Sequence, residues 1–309
     1  DAVVVTLDNA IPNVNAGADI LLTCVITNTS LQATSTTAGV TYAWSNGINT
    51  ADNLVSSPNV YTVTATNPSN GCTISDAVDV TQNISTPNVD AGLDQELSCT
   101  TSSANLTGAS STSGVSYAWS GPGTITNGNT AIAKVNVSGN YSLLVTDPSN
   151  GCTASDVVVV TPNVNSPNIN AGLDQVLTCA TTSVSLTATS STAGVTFLWS
   201  DGTTNASTNV NAPTTYSVTA TDPNNGCQAV DQVVVSQNIA APDVNAGADA
   251  TLTCLITSIS LNATSTISGA TFVWSNGTAN ATTTVNAPNI YAVTATDPSN
   301  GCTASDDVM

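Results

Sequence analysis

The sequence predicts an all-β protein, a tandem array of four copies of one small β-sandwich module. Three observations carry that prediction. One motif returns four times at nearly constant spacing, larger side chains alternate with small polar ones at every second residue, and no apolar pattern of helical period is long enough to make a helix.

Pro12-Asn13-Val14-Asn15-Ala16-Gly17-Ala18-Asp19 returns as PNVDAGLD at 87–94, PNINAGLD at 167–174 and PDVNAGAD at 242–249, in steps of 75, 80 and 75 residues. The motif opens modules at 12–86, 87–166, 167–241 and 242–309, with residues 1–11 in front. Each copy then carries a first cysteine (Cys24, Cys99, Cys179, Cys254), a tryptophan twenty residues later (Trp44, Trp119, Trp199, Trp274) and a second cysteine (Cys72, Cys152, Cys227, Cys302). The step from Trp to second Cys is 28, 33, 28 and 28 residues, so copy two holds a five-residue insertion, the mark of a loop that lengthens without disturbing a core. Val40, Tyr42 and Trp44 alternate with Thr41, Ala43 and Ser45, and Tyr61, Val63 and Ala65 with threonines, which is the period of half-buried strands. Between strands, Asn67-Pro68-Ser69-Asn70-Gly71 and its counterparts at Asp147, Asp222 and Asp297 place Pro where φ is fixed and Asn-Gly where φ turns positive. Short strands between regular turns read as a sandwich.

Composition removes whole classes of function. Of 309 residues one is Lys or Arg and 20 are Asp or Glu, a formal charge of −19, and there is no histidine. The chain therefore lacks Ser-His-Asp and Cys-His machinery and imidazole metal ligands, and one cation does not neutralise a phosphate backbone; the expectation is no enzyme, no nucleic-acid binding and no attachment to anionic membranes. No stretch has the apolar length of a membrane span, and Asp1-Ala2-Val3-Val4-Val5-Thr6 has no basic n-region, so it reads as a mature segment.

Two cysteines per copy, with no CxxC pair, point to disulfides and so to a compartment outside a reducing cytosol. Pairing inside each copy, Cys24 to Cys72, Cys99 to Cys152, Cys179 to Cys227 and Cys254 to Cys302, closes loops of roughly 50 residues and is worth ~4 kcal/mol per module on the chain-entropy model. The alternatives are bridges between neighbouring copies, such as Cys72 to Cys99, which would lock the angle between modules, and buried free thiols.

The succession P-N-V-N-A-G-x-D, L-T-C, Y-A-W-S-N-G and Y-T-V-T-A-T-N-P-S-N-G-C resembles the PKD-like and immunoglobulin-like repeats of long secreted surface adhesins of the Bacteroidetes, exported by type IX secretion. The resemblance covers the whole chain. It implies a sandwich of about seven strands, extracellular display and end-to-end stacking. Independently of it, each tryptophan's place in an alternating strand, at a fixed distance from a cysteine, predicts a core residue packed near a disulfide. One departure is that the family's W-x-F-G-D-G stands here as Trp44-Ser45-Asn46-Gly47, with Asp201-Gly202 nearer to it.

Candidate sites are few. Asp19, Asp94, Asp174 and Asp249, with Asp76, Asp156, Asp231 and Asp306 after the second cysteine, recur in register; as oxygen clusters at junctions they would hold Ca²⁺, the only cofactor in view, and otherwise they cap turns and keep edge strands soluble. Asp94 and Glu96 would share a strand face as a carboxylate pair, but no other copy repeats the second acid. The four tryptophans are core residues or, less in keeping with their alternating strands, platforms for sugars. The insertion, Gly121 to Gly139 with Lys134, is the one place where a dedicated binding loop departs from the repeat; Gly121-Pro122-Gly123 precedes no helix and is no phosphate cradle. Sequons at Asn28, Asn83, Asn105, Asn136, Asn140, Asn205, Asn262, Asn276 and Asn280 fall at inequivalent positions.

The ends carry one more signal. Residues 1–6 match Asp76-Ala77-Val78-Asp79-Val80-Thr81, the last strand of a module, yet precede the first, while copy four ends at Met309 where that strand is expected to begin. The segment either closes a preceding module of a longer array or donates a strand to copy four of another subunit. The expected function is an extracellular structural fibre or stalk segment, each module roughly 30–40 Å long at strand rise, with self as partner. The alternative is a cell-surface adhesin binding glycans or a partner protein.

Overall fold

The computed structural model describes residues 1–309, all strand, turn and loop, and divides into two compact units, Asp1–Asn163 and Val164–Met309. In the first unit, the first module is built from β1 (Ile20–Thr23), β2 (Thr29–Gln32), β3 (Thr41–Trp44), β4 (Asp52–Val55), β5 (Asn59–Thr66) and β6 (Thr73–Asn83). A four-stranded sheet in the order β1-β6-β5-β3 packs on the pair β2-β4. Strand β5 is antiparallel to β3 and β6, but β1 runs parallel to β6, with Ile20 opposite Val80 and Thr23 opposite Asn83. The second module repeats this with β7 (Gln95–Ser98), β8 (Ala104–Thr107), β9 (Ser116–Ser120), β10 (Ile132–Val135), β11 (Gly139–Thr146) and β12 (Thr153–Asn163).

In the second unit, the third module has β13 (Gln175–Thr178), β14 (Val184–Thr187), β15 (Thr196–Trp199), β16 (Ser207–Val210), β17 (Thr214–Thr221) and β18 (Gln228–Asn238) in the same order. The fourth has β19 (Ile259–Asn262), β20 (Thr271–Trp274), β21 (Thr282–Val285), β22 (Tyr291–Thr296) and β23 (Thr303–Val308). The chain is thus a tandem array of immunoglobulin-like β-sandwiches. Each module has six strands at most, one fewer than the resemblance implies, because the opening motif makes only a single bridge, Asn15 to Thr34 in the first copy.

The repeated residues explain the module. Along β5 the odd positions Tyr61, Val63 and Ala65 are buried while the threonines between them are half exposed, and Trp44, Leu31, Val55, Val78 and Val80 close the core from the other strands. In the opening motif, Asn15 Oδ1 accepts the Gly17 N–H at 2.7 Å and Gly17 takes φ +94°, a left-handed turn that costs a glycine nothing. The turn seats Ala16 in the core. At the start of β5 the Tyr61 hydroxyl donates to Ser57 O at 3.0 Å, and Tyr141, Tyr216 and Tyr291 repeat that bond four residues back. This is the tyrosine corner of immunoglobulin-like folds.

Copy four corrects one expectation. Its last strand is present as β23; what is missing is the counterpart of β1, since Ala250–Thr253 form no strand. Pairing with β22 needs only residues 303–308, whereas a β1-type strand pairs with the far end of an eleven-residue strand, and β23 has six.

Candidate functional site: the junction between modules

The cysteines do not pair within modules. Cys24 of copy one is bonded to Cys152 of copy two and Cys179 of copy three to Cys302 of copy four, with Cα separations of 5.0 and 4.9 Å. Cys72 and Cys254 carry free thiols. The reason is the parallel strand. Cys24 follows Thr23, which lies opposite the end of β6, and Cys72 precedes the start of β6, so eleven residues of strand, roughly 35 Å, stand between them. A disulfide needs Cα atoms within about 7 Å. The two cysteines mark opposite poles of a module, and only successive modules bring unlike poles together. The pairings Cys24–Cys72, Cys99–Cys152, Cys179–Cys227 and Cys254–Cys302 are therefore excluded, and the tryptophan cores contain no cysteine.

Around each bridge the backbone locks as well. The Cys24 N–H donates to Asn150 O at 3.2 Å, and the Asn150 amide donates to Asn83 Oδ1 at 3.1 Å and Ser85 O at 2.9 Å, so one side chain from the Asn-Gly turn clamps the linker. Gly151 follows at φ +68°, and a Cβ there would stand 2.2 Å from Val25 Cγ2. Copies three and four repeat the pattern: Ala180 N–H to Asn300 O at 3.2 Å, and Asn300 to Asn238 Oδ1 at 3.2 Å and Ala240 O at 2.9 Å. Asn225 reaches Asn165 O at 2.9 Å. None of this clamp was read from the sequence, although the fixed Asn-Gly-Cys was in view; its turn role was seen and its linker role was not.

The recurring aspartates each hold backbone. Asp76, Asp156, Asp231 and Asp306 accept the N–H of Ala16, Ala91, Ala171 and Ala246 at 2.8 Å. Asp19, Asp94, Asp174 and Asp249 accept the N–H of Asp79, Val159, Val234 and Met309 at 2.8–2.9 Å. The bond from Ala91 first, then that from Val157, holds the Asp156 carboxyl below the ordinary carboxylate range, and Ala171 and Gln232 do the same for Asp231. No three acidic groups converge as a cation cage. Glu96 accepts from Asn163 at 3.0 Å and Asp94 from Val159, so the two carboxylates serve separate partners.

The four tryptophans are buried, with no face open to a sugar, and Trp44, Trp119 and Trp274 donate to Thr50 O, Thr130 O and Ala281 O at 3.0, 3.1 and 3.3 Å. Trp199 Nε1 has no acceptor. Asp201 closes its turn by accepting from Thr203 N–H at 2.9 Å and the Thr208 hydroxyl at 2.7 Å, which lowers its pKa, the hydroxyl contributing most. Asn46 and Asn276 close theirs on Asn53 and Thr283. In the insertion, Thr126 pairs with Lys134 through two backbone bonds, and the exposed Lys134 side chain lines an open groove with Ser102, Ser103 and Thr124.

No protein-family model matches the chain, and no curated protein matches it in sequence. Among solved structures it is similar to extracellular domains 3–5 of Drosophila OTK (11% identity, 72% of this chain and 94% of that one, TM-score 0.26), the human desmocollin-1 ectodomain (12%, 97% and 79%, 0.31) and the titin I-band fragment I67–I69 (11%, 75% and 100%, 0.32). Superpositions this loose carry no argument; the fold assignment rests on the strand order and the tyrosine corners.

Proposed function

We propose that the chain is a segment of an extracellular structural fibre or stalk whose modules continue end to end. The observation that carries this reading is the disulfide between consecutive modules. A bridge inside a module staples a fold; a bridge across a junction makes a covalent route for tension past it. A pull on the two ends travels through Cys24–Cys152 and Cys179–Cys302 and leaves the residues between each pair out of the stretched path. Disulfides persist outside a reducing cytosol, and a chain with one Lys or Arg offers trypsin-like proteases a single cut. No helix is long and apolar enough to cross a membrane.

Single-molecule pulling tests the reading. Sequence separations of 128 and 123 residues, at ~3.5 Å each, predict that reduction lengthens the stretched chain by roughly 400 Å per bridge. Equal lengths before and after reduction would overturn it.

The insertion in copy two favours a second reading, a surface adhesin that grips glycans or a partner protein, because it alone breaks the repeat and holds the single lysine. A glycan-array signal lost when Gly121 to Gly139 is trimmed to the length of the other copies supports it. Silence of every module removes it.

A further inference from the structure

Asparagine followed by glycine is the dipeptide in which a backbone most readily attacks its own side chain, because glycine has no Cβ to shield its amide nitrogen; asparagine is heat-labile for this reason. The chain carries seven such pairs, with asparagine at 46, 70, 127, 150, 225, 276 and 300. In six of them the fold ties both reacting groups. At the four Asn-Gly-Cys turns, Gly71, Gly151, Gly226 and Gly301 donate their N–H to the carbonyl four residues back at 2.7–2.8 Å. There the asparagine Oδ1 accepts the cysteine N–H at 2.8–2.9 Å, and its Nδ2 is held by a carbonyl of the linker. At two tryptophan turns, Gly47 and Gly277 donate to Trp44 O and Trp274 O at 2.9 and 2.8 Å. Asn46 Nδ2 is bonded to Asn53 Oδ1 at 3.0 Å and Asn276 Nδ2 to Thr283 Oγ1 at 2.9 Å.

The seventh pair, Asn127–Gly128, has neither tie. Its asparagine is exposed, and neither the Asn127 side chain nor the Gly128 N–H makes a hydrogen bond. The insertion is the cause. Trp119 N–H donates to Gly128 O at 2.7 Å, as Trp44 N–H does to Ile48 O and Trp274 N–H to Thr278 O at 2.8 Å. The longer loop therefore shifts the pair one place along the turn. Asn127 stands where the other copies have Gly47, Gly202 and Gly277, and it takes φ +58°, the one positive φ outside glycine. Thr126, not Asn127, holds the position from which Asn46 and Asn276 reach across their turns.

We propose that Asn127–Gly128 is a site of spontaneous covalent modification that converts to aspartyl and isoaspartyl forms in the folded protein, while the other six pairs are protected by their hydrogen bonds. The Gly128 nitrogen gives its proton to solvent base and bonds to Asn127 Cγ, the Cγ–Nδ2 bond breaks, and the side-chain nitrogen leaves as ammonia. Water then adds to one of the two carbonyls of the five-membered imide and reopens it. One water is consumed and one ammonia released, with nothing oxidised or reduced. Opening at Cγ gives aspartate; opening at the Asn127 backbone carbonyl carbon leaves the main chain running through Cβ and Cγ, one atom longer. Either product puts a carboxylate next to Thr126, whose backbone pairs with that of Lys134 at 2.9 and 3.0 Å. The loop that holds the single cation thus gains an anion with age, whichever function the array serves.

Incubation of the oxidised chain in H₂¹⁸O at mildly alkaline pH tests this, with ¹⁸O uptake read peptide by peptide in a mass spectrometer. Isoaspartate is counted by methyl transfer from S-adenosylmethionine with an isoaspartyl methyltransferase. Reaction at a protected pair first breaks two ordinary hydrogen bonds, so uptake at Asn127 is expected to be roughly tenfold or more faster than at the other six in the folded chain. Reduction and urea are expected to bring all seven to similar rates, which separates the effect of the fold from that of local sequence. Gly128→Ala, whose Cβ would stand 3.3 Å from Ile125 Cγ2 and shields the nitrogen, is expected to suppress the reaction at Asn127 alone. Uptake at folded Asn127 no faster than at Asn150, or none there in the time the unfolded chain takes to react, overturns the proposal.

Discussion

Cys72 and Cys152 occupy the same position of the repeat, and the covalent topology gives them opposite consequences. Cys152→Ser opens a loop of 128 residues, which the chain-entropy model values at about 5 kcal/mol, spread over the two modules it spans. Cys72→Ser opens none, so urea unfolding of the monomer is expected to be unchanged by it and clearly weakened by Cys152→Ser. Equal losses would restore the within-module pairing. The register of the cysteines was legible in the sequence; their partners were not, because a period does not say at which pole of a module a residue lies. That depends on the direction of β1, four residues whose parallel pairing leaves no periodic trace. The aspartates add a pH signature at the same scale. Asp156 and Asp231 titrate below their ordinary range of about 3.9 because backbone N–H groups bond the ionised form. As pH falls the unfolded chain takes the proton first, so this stabilisation is fully present above about pH 4 and lost as pH drops through the folded values. Thermal midpoints are expected to be flat from pH 8 to about 4 and to fall below, and Asp156→Ala, which strands the Ala91 N–H, is expected to remove part of the slope.

Strands β3 and β5 could be read directly, since Trp44, Tyr61, Val63 and Ala65 alternate with small polar residues. The parallel strand could not, and neither could its loss in copy four: Ala250-Thr251-Leu252-Thr253 is as good a strand sequence as Ile20-Leu21-Leu22-Thr23 and differs only in lacking a partner. Element identity there is tertiary, as expected for strands whose propensity depends on neighbours. The Asn-Gly-Cys turn shows a second layer of this dependence. Gly71 and Gly301 both sit at φ +72°, yet a Cβ on Gly71 meets nothing within 4 Å while one on Gly301 meets the Ala180 Cβ at 2.6 Å. Each alanine carries the left-handed penalty of about 1–2 kcal/mol. Only Gly301→Ala is expected to crowd a formed junction as well, so at a fixed glutathione ratio it should lower the oxidised fraction of Cys179–Cys302 severalfold, with Gly71→Ala matching the parent. Equal oxidation in both variants would show that the approach at Gly301 is not tight.

For the whole molecule, the array, its acidity and its disulfide chemistry were visible in composition and repeats, because they are sums over many residues; the junction was not, because it is made by pairs of poles. Charge acts on the whole array. The chain carries a formal −19 with a single Lys or Arg, so like charges repel within the folded molecule with almost no cation to offset them. Screening length falls from about 30 Å at 0.01 M salt to about 8 Å at 0.15 M, so the thermal midpoint is expected to rise as salt is added. Calcium and sodium chloride at equal ionic strength are expected to act alike, since the aspartates are committed to backbone N–H groups and no three acidic groups converge. A midpoint that salt leaves unmoved would show that this repulsion is negligible, and one that only calcium raises would place a cation where these carboxylates are now bonded to the chain.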